Sequence, residues 1–445
     1  MSELPVVVIG AGPQGLAAAA HLLERGLTPV VLEAGNGPGA AVAHWSHVRT
    51  FSPWPELVDA AATRLLTPTG WAAPTSGYPT GGEWISRYLR PLAEALGDRI
   101  RYHTRVTGVS RRGHDRVLSQ DRDSAPFVVH VVGRNGQEAT LSAHAVVDAS
   151  GTWSLPNPAG ADGLPALGEK KAASASLVTY APPTPDTSAA WRDEHVVIVG
   201  SGHSAMTAAI ELAEVARQHP ATRVTWVLRR GAAGDVFGGG ESDALPQRGA
   251  LGARAHVEVD AGLVTMVTGF RTERIDVDGG RVTVVADDGR TLPPADHVVV
   301  LTGFRPDLSF LSELRLELDP VLQAPLKLAP EIDPNVHSCG SVPPHGAAEL
   351  AHPDEPGLFV VGMKSYGRAP TFLALTGYEQ VRSVAAELAG DHDDARRVQL
   401  VLPETGVCTG AGLSDQPEAS SHGGSCGSTP AADQVPSLAL NTIGT

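Results

Sequence analysis

The hydrophobic positions repeat one pattern twice along the chain. Val6-Val7-Val8-Ile9 is an unbroken apolar run of the kind that forms a strand buried on both faces. It breaks at Gly10-Ala11-Gly12-Pro13-Gln14-Gly15, and an Ala/Leu-rich stretch then predicts a helix that runs to Arg25 and ends on a left-handed cap at Gly26. A second apolar strand, Val30-Val31-Leu32, ends at Glu33. The second copy begins at Val196-Val197-Ile198-Val199 and turns at Gly200-Ser201-Gly202-His203-Ser204-Ala205. Its helix carries Ile210, Leu212 and Val215, and its next strand, Val224 to Leu228, ends at Arg229-Arg230.

Residues 100–147 and 263–300 alternate apolar and polar positions around turn signals such as Arg134-Asn135-Gly136 and Asp278-Gly279-Gly280, which predicts short strands after each copy. Two further apolar strands end on glycine, Val146-Val147 before Gly151 and Val298-Val299-Val300 before Gly303. A last strand, Leu358 to Val361, precedes a helix from about residue 376 to 389. The expected fold class is α/β, with two Rossmann-like, three-layer ββα dinucleotide-binding domains, the second inserted in the first. The expected boundaries are 1–160 and 295–402 for the two parts of the outer domain and 161–294 for the inserted one. The Ser-, Gly-, Thr- and Pro-rich residues 403–445 read as a mobile tail, and Pro182-Pro183-Thr184-Pro185 reads as a crossing between domains.

A net charge of −15 over 445 residues lacks the basic footprint of a nucleic-acid binder. No segment approaches the ~18–20 apolar residues of a membrane span, and the N-terminus lacks a signal-peptide pattern. Three cysteines, Cys339, Cys408 and Cys426, are too few for a disulfide scaffold and fit a cytoplasmic setting. A small-molecule substrate is the expected partner, with homodimer formation open.

The two turns carry the chemistry. A pyrophosphate needs backbone N–H groups at a helix N-terminus and residues small enough to let it approach. Gly10, Gly12 and Gly15 meet that need in a strand–turn–helix context, with Pro13 and Gln14 opening the helix. Glu33 can accept hydrogen bonds from a ribose and would repel a 2′-phosphate, so this turn suits FAD or NAD. Gly200, Gly202 and the small Ala205 repeat the device, with His203 and Ser204 between them. Arg229 and Arg230 replace the acid there, which suits the 2′-phosphate of NADPH.

With these features the sequence resembles two-dinucleotide-domain flavoproteins, particularly flavin-containing monooxygenases and their bacterial relatives. The likeness extends from Val6 to about Leu388. Asp148-Ala149-Ser150-Gly151-Thr152-Trp153-Ser154, followed by Pro156 and Pro158, looks like the family's ATG-x-WS-x-P-x-x-P element with its prolines one position closer. Thr302-Gly303-Phe304-Arg305-Pro306-Asp307 looks like its second crossing element. The F-x-G-x-x-x-H fingerprint falls on Leu167 to Ala173, where its Phe and His are missing.

A narrower likeness is to bacterial flavoproteins associated with arsenic-resistance gene clusters. It rests on His47-Val48-Arg49-Thr50-Phe51-Ser52-Pro53-Trp54, Pro79-Thr80-Gly81-Gly82-Glu83, Phe237-Gly238-Gly239-Gly240-Glu241, the stretch Gly362 to Phe372, and Pro403-Glu404-Thr405-Gly406-Val407-Cys408.

The resemblance implies FAD at the first turn and NADPH at the second. It adds Trp45, Val106, Ser150, Gly151, Gly303, Gly362, Met363 and Tyr378 to the expected cofactor contacts, and it places Trp45, Arg49, Met363 and Thr371 near the flavin. Met363 stands where related enzymes have an Asp for a ribityl hydroxyl. The implied activity is NADPH-dependent and monooxygenase-like, on a small soft substrate such as an arsenical.

Two alternatives remain at this level: a reductase of a disulfide, quinone or protein acceptor, and a non-enzymatic flavin sensor. No Cys-x-x-Cys occurs, so an internal redox dithiol is disfavoured. The three cysteines are candidate metalloid thiols. His345, Glu349 and His352 form a candidate acid/base cluster, and the loop at Gly238, with Asp243 and Arg248, is a candidate cover for the nicotinamide.

Overall fold

The computed structural model describes residues 4–231, 234–238, 240, 243, 245–336, 342–370 and 372–400. The apolar run Val6–Ile9 (β1) is buried along its whole length and forms the middle of a parallel sheet. The helix Pro13–Glu24 (α1) and strand Pro29–Leu32 (β2) follow. Ile100–Arg101 (β3) extends the sheet beyond β2. Arg105–Arg111 (β4), Phe127–Val132 (β5) and Glu138–Ala143 (β6) make an antiparallel layer against it. Ala145–Asp148 (β7) returns beside β1, pairing Val8 with Val147.

The second unit repeats this plan with Val178–Thr179 (β8), His195–Val199 (β9), helix His203–Gln218 (α2), Arg223–Val227 (β10), helix Pro246–Asp260 (α3) and Thr265–Val267 (β11). Its added layer is a hairpin of Thr272–Asp278 (β12) and Arg281–Ala286 (β13). The hairpin turns through Gly279 and Gly280, whose φ angles of +55° and +80° suit glycine and match the twist of the strands. His297–Val300 (β14) joins the second sheet, while Leu358–Val360 (β15) joins the first, ahead of helix Ala374–Leu388 (α4). The first sheet runs β15-β7-β1-β2-β3 and the second β11-β10-β9-β14-β8, parallel throughout.

The expected fold class is what the chain adopts, and two boundaries need correction. Strand β14 pairs with β9, matching His297 to Val196, so the inserted unit continues past residue 294 and the return lies at 301–307. Apolar alternation alone did not say which sheet a strand at 297–300 completes. The stretch 182–185 is not a crossing. Thr184 caps the short helix Pro185–Ala190 inside the second unit, and Ser188 donates to Glu211 of α2 at 2.7 Å.

The actual crossings are Pro156–Pro158 and Thr302–Arg305, and they bind each other. Asn157 N–H donates to the Gly303 carbonyl at 2.9 Å, and the Thr302 hydroxyl donates to the Asn157 carbonyl at 2.9 Å. Trp153 stacks on Phe304 with ring centres 4.7 Å apart, and His44 stacks on the Trp153 indole at 5.6 Å. Further contact between the units comes from the loop at 44–52. Phe51 meets His203 edge-on at 4.9 Å, and His47 lies 3.8 Å from Glu211.

Candidate functional site

Both glycine turns sit at the C-terminal edges of their sheets, where open α/β folds bind ligands. In the first, Gly10 has φ +99°, and a Cβ there would lie 2.8 Å from the Ala149 carbonyl oxygen. A Cβ on Gly15 would collide with the Gly10 carbonyl oxygen. These two glycines are required by the protein's own packing. Gly12 differs: a Cβ there would meet no protein atom within 4 Å. Gly12 is also the N-cap of α1, and no side chain caps that helix. The turn therefore presents unpaired helix N–H groups and a clear approach, which fits a diphosphate.

The second turn shows the same division. Gly200 has φ +135° and its Cβ would strike the Leu301 carbonyl, whereas nothing lies within 4 Å of a Cβ on Gly202. Ala205 is fully buried, which explains why a small residue is needed there. His203 and Ser204 open α2 on the exposed side of the turn.

The strand ends give the turns different electrostatics. Glu33 accepts from the N–H groups of Ala11 at 2.7 Å and Gly35 at 2.6 Å, so its carboxylate is fixed beside the first turn. Arg229 and Arg230 end the second strand. Arg229 donates to the Ala161 carbonyl at 3.1 Å.

Other expected contacts gather around the first turn. Gln14 packs between Gly362 and Gly377, whose missing side chains make room for it. Its amide nitrogen donates to the Ala374 carbonyl at 3.2 Å, and its Oε1 has no partner. Ser150 N–H donates to the Asp148 carboxylate at 3.0 Å, and Gly151 has φ +70° with open space around it. Gly362 donates its N–H to Gln380, and Met363 is half-buried in the 3₁₀ turn that follows. Gly303, at φ +95°, belongs to the return crossing. Val106 is half-buried on β4 opposite Val131.

Trp45 is half-buried against Trp84, and Arg49 is exposed and donates to the Tyr78 carbonyl. Tyr378 lies in the core with its hydroxyl donated to the Leu57 carbonyl at 2.8 Å, so its side chain packs α4 against the core. Thr371, Cys339, Cys408, Cys426 and the tail beyond residue 400 lie outside the described residues.

The proposed histidine cluster does not assemble. His345 hydrogen-bonds the Pro343 carbonyl and Gln380, while Glu349 accepts from Gly346 N–H in its own short helix. His352 accepts from Glu317 N–H, and burial pushes its pKa down to about 4. Among the described residues, no group of three or more His, Cys, Asp or Glu side chains can hold a metal. Asp243 and Arg248 pair with each other at 2.7 Å beside the Gly238 loop, of which Gly239 and Glu241 lie outside the described residues.

The sequence reading missed Lys364 and Asp148, an ion pair at 2.6 Å with both side chains fully buried. Each charge merely ends an apolar stretch, which many surface charges also do, so nothing local marked the two as buried partners.

Comparison with known proteins decides the family. The sequence pattern of the pyridine nucleotide-disulphide oxidoreductases matches residues 7–327. The chain belongs to this family. Membership brings FAD and a reduced pyridine nucleotide as cofactors. No curated protein sequence matches the chain.

Among solved structures, a bacillithiol disulfide reductase from Bacillus cereus is 21% identical, with 88% of this chain and 100% of that one covered and a TM-score of 0.63. A thioredoxin reductase from Lactococcus lactis is 18% identical, with coverage of 88% and 99% and a TM-score of 0.55. A flavin-containing monooxygenase from Stenotrophomonas maltophilia is 22% identical, with coverage of 88% and 99% and a TM-score of 0.52. These likenesses concern the fold. No helix among the described residues is long and apolar enough to cross a membrane.

In this oxidoreductase, Gly12→Ala is expected to leave the melting temperature unchanged and to weaken FAD retention. The added methyl meets no protein and occupies the approach to the turn. Thermal unfolding of the apoprotein beside flavin titration separates the two effects.

Proposed function

We propose that the chain is an FAD-dependent NADPH oxidoreductase with monooxygenase-like chemistry toward a small soft substrate such as an arsenical. One observation carries the cofactor assignment: each unit has a middle glycine open to a ligand, Gly12 beside a carboxylate and Gly202 in a turn whose strand ends in two arginines. Glu33 would hold a ribose, and Gly10 to Gly15 the diphosphate of FAD. Gly200 to Ala205 would hold the diphosphate of NADPH, with Arg229 and Arg230 on its 2′-phosphate. Bound FAD supplies the redox chemistry, exchanging hydride with NADPH and electrons with an acceptor. Trp45, Arg49 and Met363 would border the flavin and shape access to it.

The choice of an oxygenating reaction follows the sequence likeness to monooxygenases and to the arsenic-associated subgroup. The absence of any Cys-x-x-Cys agrees, because electrons then leave the flavin without an internal dithiol. A second reading is favoured by the family itself and by the missing Phe and His at Leu167–Ala173: an NADPH-dependent reductase of an external disulfide or quinone.

The deciding experiment reduces the flavoprotein with NADPH without oxygen. It then adds oxygen with a trivalent arsenical, or an external disulfide with no oxygen. Oxygenated product formed in proportion to NADPH and oxygen supports the first reading. Fast anaerobic turnover with the disulfide, and uncoupled oxygen consumption with the arsenical, supports the second.

Replacing Arg229 and Arg230 with serine is expected to raise KM for NADPH by about 10–100-fold through lost charge-assisted hydrogen bonds. KM for NADH should change little, so steady-state kinetics with both nucleotides reads the effect directly.

A further inference from the structure

Lys364 is wholly enclosed by protein, where a cation is costly unless every proton is used. Its Nζ donates to Asp148 Oδ2 at 2.6 Å and to Ser150 Oγ at 3.1 Å, and it lies over the Phe310 ring at 4.2 Å. Asp148 uses its other oxygen to accept Ser150 N–H at 3.0 Å, and its carbonyl accepts Val361 N–H at 2.9 Å. The ammonium thus joins three segments: the end of β7, the 3₁₀ turn Gly362–Tyr366 after β15, and the chain just past the return crossing. The first two are the loops that carry Ser150-Gly151 and Gly362-Met363. Asp148 also precedes Ala149, whose carbonyl oxygen lies against Gly10 of the first turn.

A buried ion pair is a poor route to stability, since apolar residues of the same volume usually serve as well. Its value here is positional and electrostatic. We propose that Lys364 is a positioning residue for the flavin dinucleotide: it fixes the Ser150 and Gly362 loops, and it neutralises a carboxylate that would otherwise face the diphosphate and the flavin. This inference rests on the FAD assignment above. With the pair intact the field at the site is small. With one partner removed, a single buried charge of known sign remains a few residues from the first glycine turn.

The two single substitutions should therefore act in opposite directions. Lys364→Met leaves a carboxylate, so it should lower the flavin midpoint potential and weaken FAD binding by about tenfold, the effect of one charge acting through an effective dielectric near 20. Asp148→Asn leaves an ammonium, so it should raise the potential without loss of FAD affinity. The double variant carries no unpaired charge and should return the potential toward that of the parent protein.

The measurements are dye-equilibrated reductive titration and FAD titration of the full chain, with circular dichroism to verify folding. If Lys364→Met does not fold, Asp148→Asn and the double variant still decide the matter. Shifts of opposite sign that cancel in the double variant support the proposal. Shifts of one sign in both singles, or parental values in Asp148→Asn, overturn it and leave the pair a structural strut. A parent protein that binds no FAD would defeat the cofactor assignment instead, so the two failures are distinguishable.

Discussion

Gly15→Ala is expected to destabilise the protein and to abolish FAD retention together. A Cβ at position 15 would overlap the Gly10 carbonyl oxygen, which is backbone and cannot rotate away, and would also reach 3.4 Å from the Ala149 Cβ. Gly10 cannot yield either, because its own φ of +99° and its contact with Ala149 fix that turn between β1 and β7. Overpacking of this kind costs about 1–3 kcal/mol and displaces the backbone. The displaced backbone is the one whose N–H groups would cradle the diphosphate. The melting temperature should therefore fall and the purified protein should be colourless. Gly12→Ala serves as the control, since it adds the same methyl three residues away where no protein is met. If Gly15→Ala keeps both its stability and its flavin, the turn is more pliable than its packing indicates.

The second large effect lies far from the glycine turns. Glu355 is fully buried between Arg111 and Arg122, which are themselves almost inaccessible. Its carboxylate receives Arg111 Nε at 2.9 Å, Arg122 Nη2 at 2.6 Å and Arg315 N–H at 2.9 Å. Glu355→Ala would strand two guanidinium groups in the interior, and breaking a buried pair in this way costs about 3–5 kcal/mol.

Burial alone would raise the Glu355 pKa, but hydrogen bonds from Arg122, the Arg315 backbone N–H and Arg111, together with the charge of Arg122, outweigh it and hold the pKa below the ordinary value. The sign follows from linkage. A depressed folded-state pKa contributes stability above the unfolded value and loses it as pH falls through the folded one. The stability gap between the parent and Glu355→Gln should thus be full at neutral pH and close progressively below about pH 4, the region in which unfolded glutamates take up protons. Urea unfolding as a function of pH measures the gap. A gap independent of pH would show that the site acts through packing and not through charge.

The elements with the strongest local signal were legible before any coordinates. Four consecutive β-branched or aliphatic residues, then glycines at fixed spacing, then an alanine-rich helix, admit little besides a buried parallel strand feeding a dinucleotide turn. That pattern placed β1, β9, α1 and α2, and it named Gly10, Gly12, Gly15, Gly200 and Gly202. The two residue types that end β2 and β10 were equally readable, since a carboxylate and a pair of guanidinium groups differ in what they can bind wherever they sit. The crossings were found by their resemblance to a family pattern rather than by their physics.

Other features depended on contacts between distant parts of the chain. Strand His297–Val300 has the same apolar pattern as Ala145–Asp148, and only pairing tells which sheet each completes. Tyr378 is among the expected cofactor contacts, and the packing of α4 turns its side chain toward Leu57 and the core. His345, Glu349 and His352 are close in sequence and each is committed to a different backbone group. Lys364 and Asp148 are separated by the entire inserted unit, as are Arg111 and Glu355.

The sequence by itself determined the fold class, the two turns and the charge at each strand end, because those follow from side-chain size, backbone freedom and charge within about thirty residues. Only the tertiary structure decided that Gly12 and Gly202 face open space while Gly10, Gly15 and Gly200 face protein, and which buried charges neutralise one another. Apart from the Gly10–Gly15 contact within one turn, both depend on atoms brought together from segments about a hundred or more residues apart, and local patterning carries no record of those distances.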